Sequence, residues 1–399
     1  MRNVDFAVVG GGVIGVRVAI ELKRRHPDCS VALLEKERSL GQHASGRNSG
    51  VLHAGFYYTA DSLKARFTKQ GNAEMRAYCE EYGLRILRCG KLVVARDEGD
   101  LTGLDELERR ARANGVELHR VSSDEAAQIE PRAKTFERAL WSPTTATVDP
   151  GEVMRAFGDE ARGLGVEVLT GVRHLGRAGA GIRTSAGAMD AGYTINCAGL
   201  YADAVARDFG FGEGYRILPF KGLYLYSSEP SGAFRTNLYP VPDLRNPFLG
   251  VHFTVTVDGR AKIGPTALPC YWRENYAGVG RFRAREFASV LGTEARLMLR
   301  AGFDFRGIAL SETRKRFRRT LVSQAGRLAT NVRLSDYTHW GHPGIRAQLL
   351  DVRHRTLVMD FLVQGDERSL HVLNAVSPAF TCSIPFARHV VEMAERSQS

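Results

Sequence analysis

A short apolar segment, a glycine-rich turn and an acidic residue constrain the fold of this chain more than any other feature. Val4–Val9 is apolar and β-branched, as expected for a strand that is buried on both faces. The turn Gly10–Gly15 has the spacing Gly-x-Gly-x-x-Gly, and apolar residues then recur at helical spacing. A second apolar strand is predicted at Val31–Leu34, and Glu35 follows it. This order of elements predicts the nucleotide-binding half of a Rossmann-type α/β domain.

Each position of the turn has a physical task in holding a dinucleotide. Gly10 permits the tight turn, Gly12 lets the backbone approach a pyrophosphate, and Gly15 lets helix and strand pack closely. The first N–H groups of the helix, at Val13–Ile14, offer donors and a partial positive charge to the phosphates. Glu35 can accept from ribose hydroxyls and would repel the 2′-phosphate of NADP. FAD and NAD share this turn, but one dinucleotide turn beside a large second domain favours resident FAD.

The remaining sequence predicts two interleaved domains, because a chain of 399 residues is long for a domain with one compact core. Aromatic and aliphatic residues alternate between positions 219 and 262, which predicts antiparallel strands. The expected fold class is α/β, with a Rossmann-type FAD-binding domain at 1–90, 148–215 and 340–399. A smaller α+β substrate domain, built on a mostly antiparallel sheet, is expected at 91–147 and 216–339. Further helices are predicted at Leu63–Tyr82, Asp100–Asn114, Gly151–Gly165, Arg281–Arg300 and Ser383–Arg396, and further strands at Val166–Leu169, Thr194–Cys197 and Leu370–Asn374.

The composition excludes several classes of protein. With 44% hydrophobic and 25% charged residues, the chain is neither disordered nor a polytopic membrane protein. The six cysteines form no Cys-x-x-Cys pair, so neither a zinc site nor a redox pair is predicted, and no metal is expected. Without an export signal or a membrane span we expect a cytoplasmic protein. The net charge of +11 permits nucleic acid, anionic lipid or small acids as partners and selects none of them.

Several longer motifs resemble one family of flavoenzymes. They are Gly41–Gly55, Thr147–Pro150, Asn196–Asp203, Tyr239–Asp243, Phe248–Thr254, Gly344–Gln348 and Leu373–Ala379. Together they resemble the L-2-hydroxyglutarate oxidase/dehydrogenase family, within the D-amino-acid-oxidase-like FAD enzymes, over nearly the whole chain. Three segments depart from that family: Lys221 stands where arginine is usual, no glycine follows Asp351, and 293–342 is unusually rich in arginine. These departures affect the expected substrate more than the flavin chemistry.

The resemblance implies a set of cofactor contacts and a reaction. The family transfers a hydride from the carbon that bears a hydroxyl to flavin N5, so the substrate is expected to be a small 2-hydroxy acid, best L-2-hydroxyglutarate or a close analogue. The last helix, opened at Ser377, Pro378 and Ala379, is expected to direct its positive end at the flavin pyrimidine. The full set of expected cofactor residues is Gly10, Gly12, Val13, Ile14, Gly15, Glu35, Lys36, Ser45, Arg47, Asn48, Ser49, Val172, Ala198, Gly199, Gly344, Arg346, Ser377, Pro378 and Ala379.

Six residues are candidates for binding and reacting with the substrate. A base near neutral pKa is needed for the hydroxyl proton, and His53 and His252 stand out by position among eleven histidines. Arg346 resembles the carboxylate-binding arginine of the superfamily, and its planar fork suits that group. Lys221 and Tyr239 could hold a second acidic end, as could Tyr224. For each of these residues the alternative is an ordinary packing or ion-pair role.

Other functions remain open at this level. The same scaffold oxidises amines in sister families, so an amino acid or secondary amine oxidase or dehydrogenase, including one in a biosynthetic pathway, is the second candidate. A nonenzymatic flavoprotein or nucleotide-binding module that acts through its basic surface is the third. The run Arg314–Arg319 has no nucleic-acid recognition motif around it, and docking to anionic lipid at the inner face of the membrane would suit electron transfer to a quinone. Oxygen is the other candidate acceptor, and the oligomeric state is not readable.

Overall fold

The computed structural model describes residues 2–179, 181–243 and 248–398. The helices are Val13–Arg25 (α1), Leu63–Glu81 (α2), Leu101–Asn114 (α3), Ser123–Ile129 (α4), Pro150–Gly163 (α5), Ala202–Asp208 (α6), Ala284–Leu299 (α7), Phe305–Arg314 (α8), Arg318–Ala325 (α9) and Ala379–Gln398 (α10). Among the helices of these described ranges, none combines the length and the apolar character that crossing a membrane requires.

The strands fall into four sheets. In chain order they are Arg2–Val9 (β1), Val31–Glu35 (β2), Val51–Leu52 (β3), Ile86–Leu87 (β4), Lys91–Val94 (β5), His119–Ser122 (β6), Arg138–Ser142 (β7), Ala146–Val148 (β8), Glu167–Thr170 (β9), His174–Ala178 (β10), Gly181–Thr184 (β11), Gly187–Asn196 (β12), Tyr215–Gly222 (β13), Leu225–Ser227 (β14), Asn237–Pro240 (β15), His252–Val255 (β16), Ala261–Gly264 (β17), Leu268–Pro269 (β18), Tyr337–Trp340 (β19), Gly344–Asp351 (β20), Thr356–Leu357 (β21), Leu362–Gly365 (β22) and Ser369–Asn374 (β23).

The first sheet is built around β1 and has the order β10-β11-β12-β1-β2-β9. Strands β12, β1, β2 and β9 are parallel, β23 joins β12 in parallel, and β22 extends the sheet antiparallel to β23. The predicted strands at Val166–Leu169, Thr194–Cys197 and Leu370–Asn374 are therefore confirmed, with bounds shifted by a few residues. This parallel sheet confirms the Rossmann-type α/β fold that the glycine turn predicts.

Both faces of the first sheet are buried, which explains the continuous apolar character of β1. Val8 packs with α1, α5 and α10 in one core cluster, whereas Ala7 and Val9 pack on the other side with Val205 of α6 and Phe209, which follows α6. Because side chains alternate along a strand, a strand with apolar layers on both sides has no polar alternation. This layering aims the carboxyl ends of β1 and β2 at one edge of the sheet.

The second large sheet has the order β19-β14-β17-β16-β15-β5-β7-β6. All its neighbours are antiparallel except β15 and β5, which run parallel. Helix α3 covers part of one face, where Leu104 and Leu107 pack with Val93 and Tyr239. A four-stranded antiparallel sheet, β18-β13-β20-β21, and a small sheet, β3-β8-β4, complete the fold. The predicted antiparallel strands are thus confirmed.

Of the two starts predicted for the last helix, the one at Ser383 is wrong, and the motif Ser377–Ala379 marks the true start. The helix begins at Ala379, four residues before the predicted Ser383, and Pro385 lies inside it. A start at Ser383 would place Pro385 in the first turn, where proline is favoured. The structure instead buries Pro385 in the second turn, against the core that α10 shares with α1 and α2. The N-terminus of α10 consequently lies where the motif at Ser377 begins.

Candidate functional site

A cavity of about 950 Å³ extends from the carboxyl ends of β1 and β2 to the buried face of the second sheet. It brings together all but two of the predicted site residues. The predicted residues that line it are Gly10, Gly12, Val13, Ile14, Glu35, Lys36, Ser45, Arg47, Asn48, Ser49, His53, Val172, Ala198, Gly199, Tyr224, Tyr239, His252, Gly344, Arg346, Ser377, Pro378 and Ala379. Gly15 and Lys221 do not line it.

The glycine turn closes tightly at the end of β1. Gly10 has φ 113°, and a Cβ atom there would lie 2.5 Å from the carbonyl oxygen of Cys197. A Cβ atom on Gly15 would lie 1.9 Å from the carbonyl oxygen of Gly10, so Gly15 supports the turn from behind. Gly12 is the N-cap of α1 and has no side chain to accept the first N–H groups. The turn therefore leaves the first N–H groups of α1 to partners from outside the turn, at a positive helix end that faces the cavity.

Glu35 is fixed at the end of β2 by backbone donors. Its Oε2 accepts from the N–H of Gly11 at 2.9 Å, and its Oε1 accepts from the N–H of Glu37 at 2.8 Å. The N–H of Val172 donates to the Glu35 carbonyl at 2.9 Å, which brings Val172 to the same wall. Burial raises the pKa of Glu35, and the backbone hydrogen bonds oppose that shift. A carboxylate has about four lone-pair sites, so acceptor capacity remains for ribose hydroxyls.

Lys36 uses its ammonium group in an ion cluster at the rim of the cavity. Its Nζ donates to Glu274 Oε1 at 2.6 Å, pairs with Glu37 and lies 2.9 Å from His43 Nε2. Arg281 Nη1 donates to Glu274 Oε2 at 2.6 Å and to Glu37 Oε1 at 2.7 Å. The cluster ties the segment after β2 to the segment after β18. The ammonium of Lys36 is therefore committed to protein partners, although the residue lines the cavity as predicted.

The segment after β2 forms a loop that wraps one side of the cavity. Ser45 Oγ accepts from the N–H of Val13 at 2.9 Å and so caps α1 in place of Gly12. Asn48 Nδ2 donates to the Ser45 carbonyl at 2.7 Å, which holds the loop in shape. A Cβ atom on Gly344 would lie 2.4 Å from the carbonyl oxygen of Arg47, so the loop and β20 meet without a side chain between them. This close approach needs the glycine that the motif supplies.

Two further backbone segments complete the wall. Ala198 and Gly199 follow β12, and the N–H of Ala198 donates to Asn196 Oδ1 at 3.1 Å. Ser377 and Pro378 lead directly into Ala379, the first residue of α10. The positive end of α10 therefore lies at the cavity.

Both predicted histidines lie at the buried end of the cavity. Among the described residues, Nδ1 of His53 is fully buried and has no hydrogen-bond partner, whereas Nε2 is not enclosed in this way. Nε2 is therefore the ring atom that can face the cavity. His252 Nδ1 lies 3.0 Å from the carbonyl oxygen of Gly250, which only accepts, so Nδ1 carries the proton. The ring of His252 stacks on Tyr239 with centroids 3.7 Å apart. Burial lowers the pKa of His53 well below 6.5 and that of His252 to about 3. Both rings are neutral at pH 7.

Arg346 lies on β20, opposite Phe220 of β13. Its Nε donates to Gln348 Oε1 at 3.0 Å, and its guanidinium carbon lies 5.3 Å from the ring centre of Phe248. Burial lowers the pKa of Arg346 to about 10, which still leaves it charged at pH 7. A planar cation held by Nε keeps its terminal N–H groups oriented for a carboxylate.

Lys221 does not meet the cavity because of the alternation of β13. Its neighbours Phe220 and Gly222 line the cavity, whereas Lys221 faces the opposite side, opposite Leu268 of β18. Burial lowers the pKa of Lys221, and the nearby thiol of Cys270 opposes that shift. This placement argues against the predicted contact between Lys221 and the second acidic end of a substrate.

The sequence reasoning missed four buried lysines in or near the cavity. Lys64, Lys262 and Lys315 are 4%, 5% and 7% exposed, and Lys91 is fully buried. Lys262 Nζ donates to the Ser49 carbonyl at 3.1 Å, and burial lowers its pKa to about 8. Lys91 Nζ lies 4.6 to 4.8 Å from the ring centres of Phe56, Tyr57 and Tyr239. A signal for Lys91 did exist, because it is the single charged residue in an otherwise apolar strand, β5.

Comparison with known proteins accounts for this arrangement. The model of the family described as FAD dependent oxidoreductase matches residues 5–393. The chain belongs to the FAD-dependent oxidoreductase family. FAD is therefore its cofactor, and the cavity has the donors, the acidic residue and the close glycine contacts that this molecule needs. The third candidate, a protein without enzymatic activity, is excluded.

The relatives of this oxidoreductase agree with the resemblance seen in the motifs. It is 36% identical to L-2-hydroxyglutarate dehydrogenase, mitochondrial, of Nematostella vectensis, over 98% of this chain and 91% of the relative. It is 34% identical to L-2-hydroxyglutarate dehydrogenase of Escherichia coli K12, over 98% and 93%. Among solved structures, FAD-bound L-α-glycerophosphate oxidase of Mycoplasma pneumoniae matches with a TM-score of 0.78 at 20% identity, over 99% of this chain and 95% of that one. Glycine oxidase of Geobacillus kaustophilus matches with a TM-score of 0.74 at 20% identity, over 100% and 96%.

Proposed function

We propose that this FAD-dependent oxidoreductase oxidises L-2-hydroxyglutarate to the 2-oxo acid. One observation carries the proposal: a buried, charged arginine and a buried, neutral histidine line the same cavity, in a chain more than a third identical to a dehydrogenase of that acid. Arginine suits the carboxylate of a 2-hydroxy acid, and a neutral histidine suits the proton of its hydroxyl group.

The side chains have separate tasks in this reaction. Arg346 binds the carboxylate next to the reacting carbon and so fixes the orientation of the substrate. His53 accepts the hydroxyl proton through Nε2 as the carbonyl forms, while His252 and Tyr239 hold the wall behind it. FAD, when bound, supplies N5 as the acceptor of the hydride from C2.

Anaerobic bleaching of the flavin tests this proposal. We expect L-2-hydroxyglutarate to bleach the yellow colour of the purified holoenzyme in a single turnover, whereas amino acids and secondary amines leave it unchanged. Absorbance of the oxidised flavin is the measurement, and the D enantiomer is the matched control. Bleaching by an amino acid or an amine, but not by the hydroxy acid, would replace the proposal by the second candidate function.

We also propose that the chain is cytoplasmic and contacts the inner face of a membrane at its surface, where a quinone accepts the electrons; oxygen is the alternative acceptor. The exposed arginines 314, 316 and 319 surround Phe317, which is 66% exposed, so cationic groups and an apolar ring are offered together.

We expect the protein to sediment with vesicles that contain phosphatidylglycerol and to be released by salt. The variant Phe317→Ser should bind less. Equal sedimentation with neutral vesicles would contradict this.

The domain division is proposed as the sequence predicts it. The parallel sheet draws its strands from 2–35, 167–196 and 362–374, which supports an FAD-binding domain at 1–90, 148–215 and 340–399. The strands of the second sheet lie between 91 and 340, which supports a substrate domain at 91–147 and 216–339. Met1, Ala180, residues 244–247 and Ser399 of these ranges lie outside the described residues.

A further inference from the structure

Lys64 is held at the cavity by the first turn of α2. Ser62 is the N-cap, and its side chain accepts from the N–H of Ala65 at 3.1 Å, so the backbone at Lys64 is fixed. The side chain of Lys64 is 4% exposed and lines the cavity. A lysine that is almost wholly buried is normally paired with a carboxylate or bound to a ligand.

The ammonium group of Lys64 has no such partner in the part of the chain that the structure describes. Its nearest recorded contacts are the rings of Tyr58 and Phe361, each with its centre 5.9 Å from Nζ. The nearby carboxylate of Asp360 is already used by backbone donors. It accepts from the N–H groups of Leu63 at 2.8 Å, Lys64 at 3.0 Å and Phe361 at 2.8 Å.

A second cation lies beside Lys64. Burial and the proximity of Arg346 lower the pKa of Lys64 to about 7, and Asp360 opposes the shift. Two adjacent cations at a buried site destabilise each other unless an anion lies beside them. A carboxylate of a ligand at Lys64 would supply that anion.

We infer that Lys64 binds the second carboxylate of a dicarboxylate substrate, while Arg346 holds the carboxylate next to the reacting carbon. The inference rests on the proposed function in taking a five-carbon 2-hydroxy diacid as the ligand. Lys64 is then the residue that distinguishes a diacid from a monoacid of equal length. It replaces Lys221, which the sequence favoured for this task and which faces away from the cavity.

The charge of Lys64 makes diacid binding depend on pH. The groups that face it are Arg346 of β20, Asp360 before β22, Tyr58 after β3 and Cys382 of α10. Burial raises the pKa of the Cys382 thiol to about 12, and it raises that of Tyr58 still further, so both stay neutral. Affinity for a diacid should therefore fall as pH rises above about 7, where the free Lys64 loses its proton. Affinity for a monoacid should not depend on the protonation of Lys64.

The test uses unreactive ligands on the oxidised holoenzyme. Glutarate and pentanoate have five carbons and differ in the second carboxylate, and either can be titrated through the change it causes in the flavin spectrum. We expect Lys64→Met to weaken the binding of glutarate about 100-fold and the binding of pentanoate by less than about 3-fold, since one buried charge pair is lost for the diacid only. Lys64→Arg should retain the preference for glutarate and remove its alkaline decline. Lys69→Met, on the exposed face of the same helix, is the matched control.

Two outcomes would overturn the inference. Equal weakening of glutarate and pentanoate by Lys64→Met, with unchanged FAD content and melting temperature, would place Lys64 at the shared carboxylate. Unchanged affinity for glutarate would remove Lys64 from the site. Failure of the proposed function is separate, because it shows as unbleached flavin with L-2-hydroxyglutarate while the dependence of glutarate affinity on Lys64 persists.

Discussion

Replacing Arg346 by alanine is expected to raise the KM for the hydroxy acid by roughly 10²–10³-fold, which corresponds to about 3–4 kcal/mol. The guanidinium is buried on β20 and oriented through its bond to Gln348, so its removal leaves the substrate carboxylate in a cavity with little water. The rate of flavin reduction at saturating substrate should fall less than the affinity. Stopped-flow reduction over a range of substrate concentrations gives both quantities.

The matched control for this prediction lies on the same part of the chain. Arg353 follows β20 on the surface, and Arg353→Ala should leave KM unchanged. Arg346→Lys keeps a positive charge but loses the two parallel donors, so it should recover only part of the affinity. An unchanged KM in Arg346→Ala would remove Arg346 from the substrate site.

His53→Ala is expected to slow flavin reduction by about 10²–10⁴-fold, the usual contribution of a positioned general base. FAD should stay bound, because the backbone N–H of His53 donates to Thr381 Oγ1 at 3.2 Å and alanine keeps this hydrogen bond. The equivalent change at His339, exposed on β19, is the control. The single-turnover rate at saturating substrate is the measurement. A rate within a factor of about two of the unchanged enzyme would assign the proton to another group.

The pH dependence of the reaction distinguishes a base from a structural residue. Burial lowers the pKa of His53 well below 6.5, and Lys91 and His252 lower it further, so kcat/KM should decline with acid only below pH 6.5. Lys91→Met removes the neighbouring cation and should raise the pKa of His53. The acid decline should then move to higher pH. An acid decline at the same pH in Lys91→Met would show that the titrating group does not sense Lys91.

The parts of the fold that depend on neighbours in sequence were predictable. Gly10 and Gly15 mark a backbone that must turn and pack within a few residues, and Glu35 follows at a spacing fixed by one helix and one strand. The part of the cofactor wall that β1, α1 and β2 form was therefore readable from the first 35 residues. The start of α10 was less so, because Pro385 suits both the first turn of a helix and a well-packed second turn.

The substrate end of the cavity depends on contacts between distant segments. Three elements supply its charged residues: α2 supplies Lys64, β20 supplies Arg346 and the segment before β22 supplies Asp360. The spacing of residues within one element cannot predict that these side chains lie close together. The prediction for Lys221 failed for a related reason, because a shift of one residue in strand register moves a side chain to the other face of the sheet. Motif resemblance located the segments, and only packing decided which side chains meet.

Helix α10 has a consequence for how the protein is made. It packs on α1, which is synthesised first, and its Thr381 contacts the backbone on both sides of Leu52, at His53 and Val51. A nascent chain that ends before Ser369 lacks β23, α10 and the floor beneath His53. Loading of the flavin must therefore wait until the segment through α10 has left the ribosome, and chains terminated before Ser369 will be colourless.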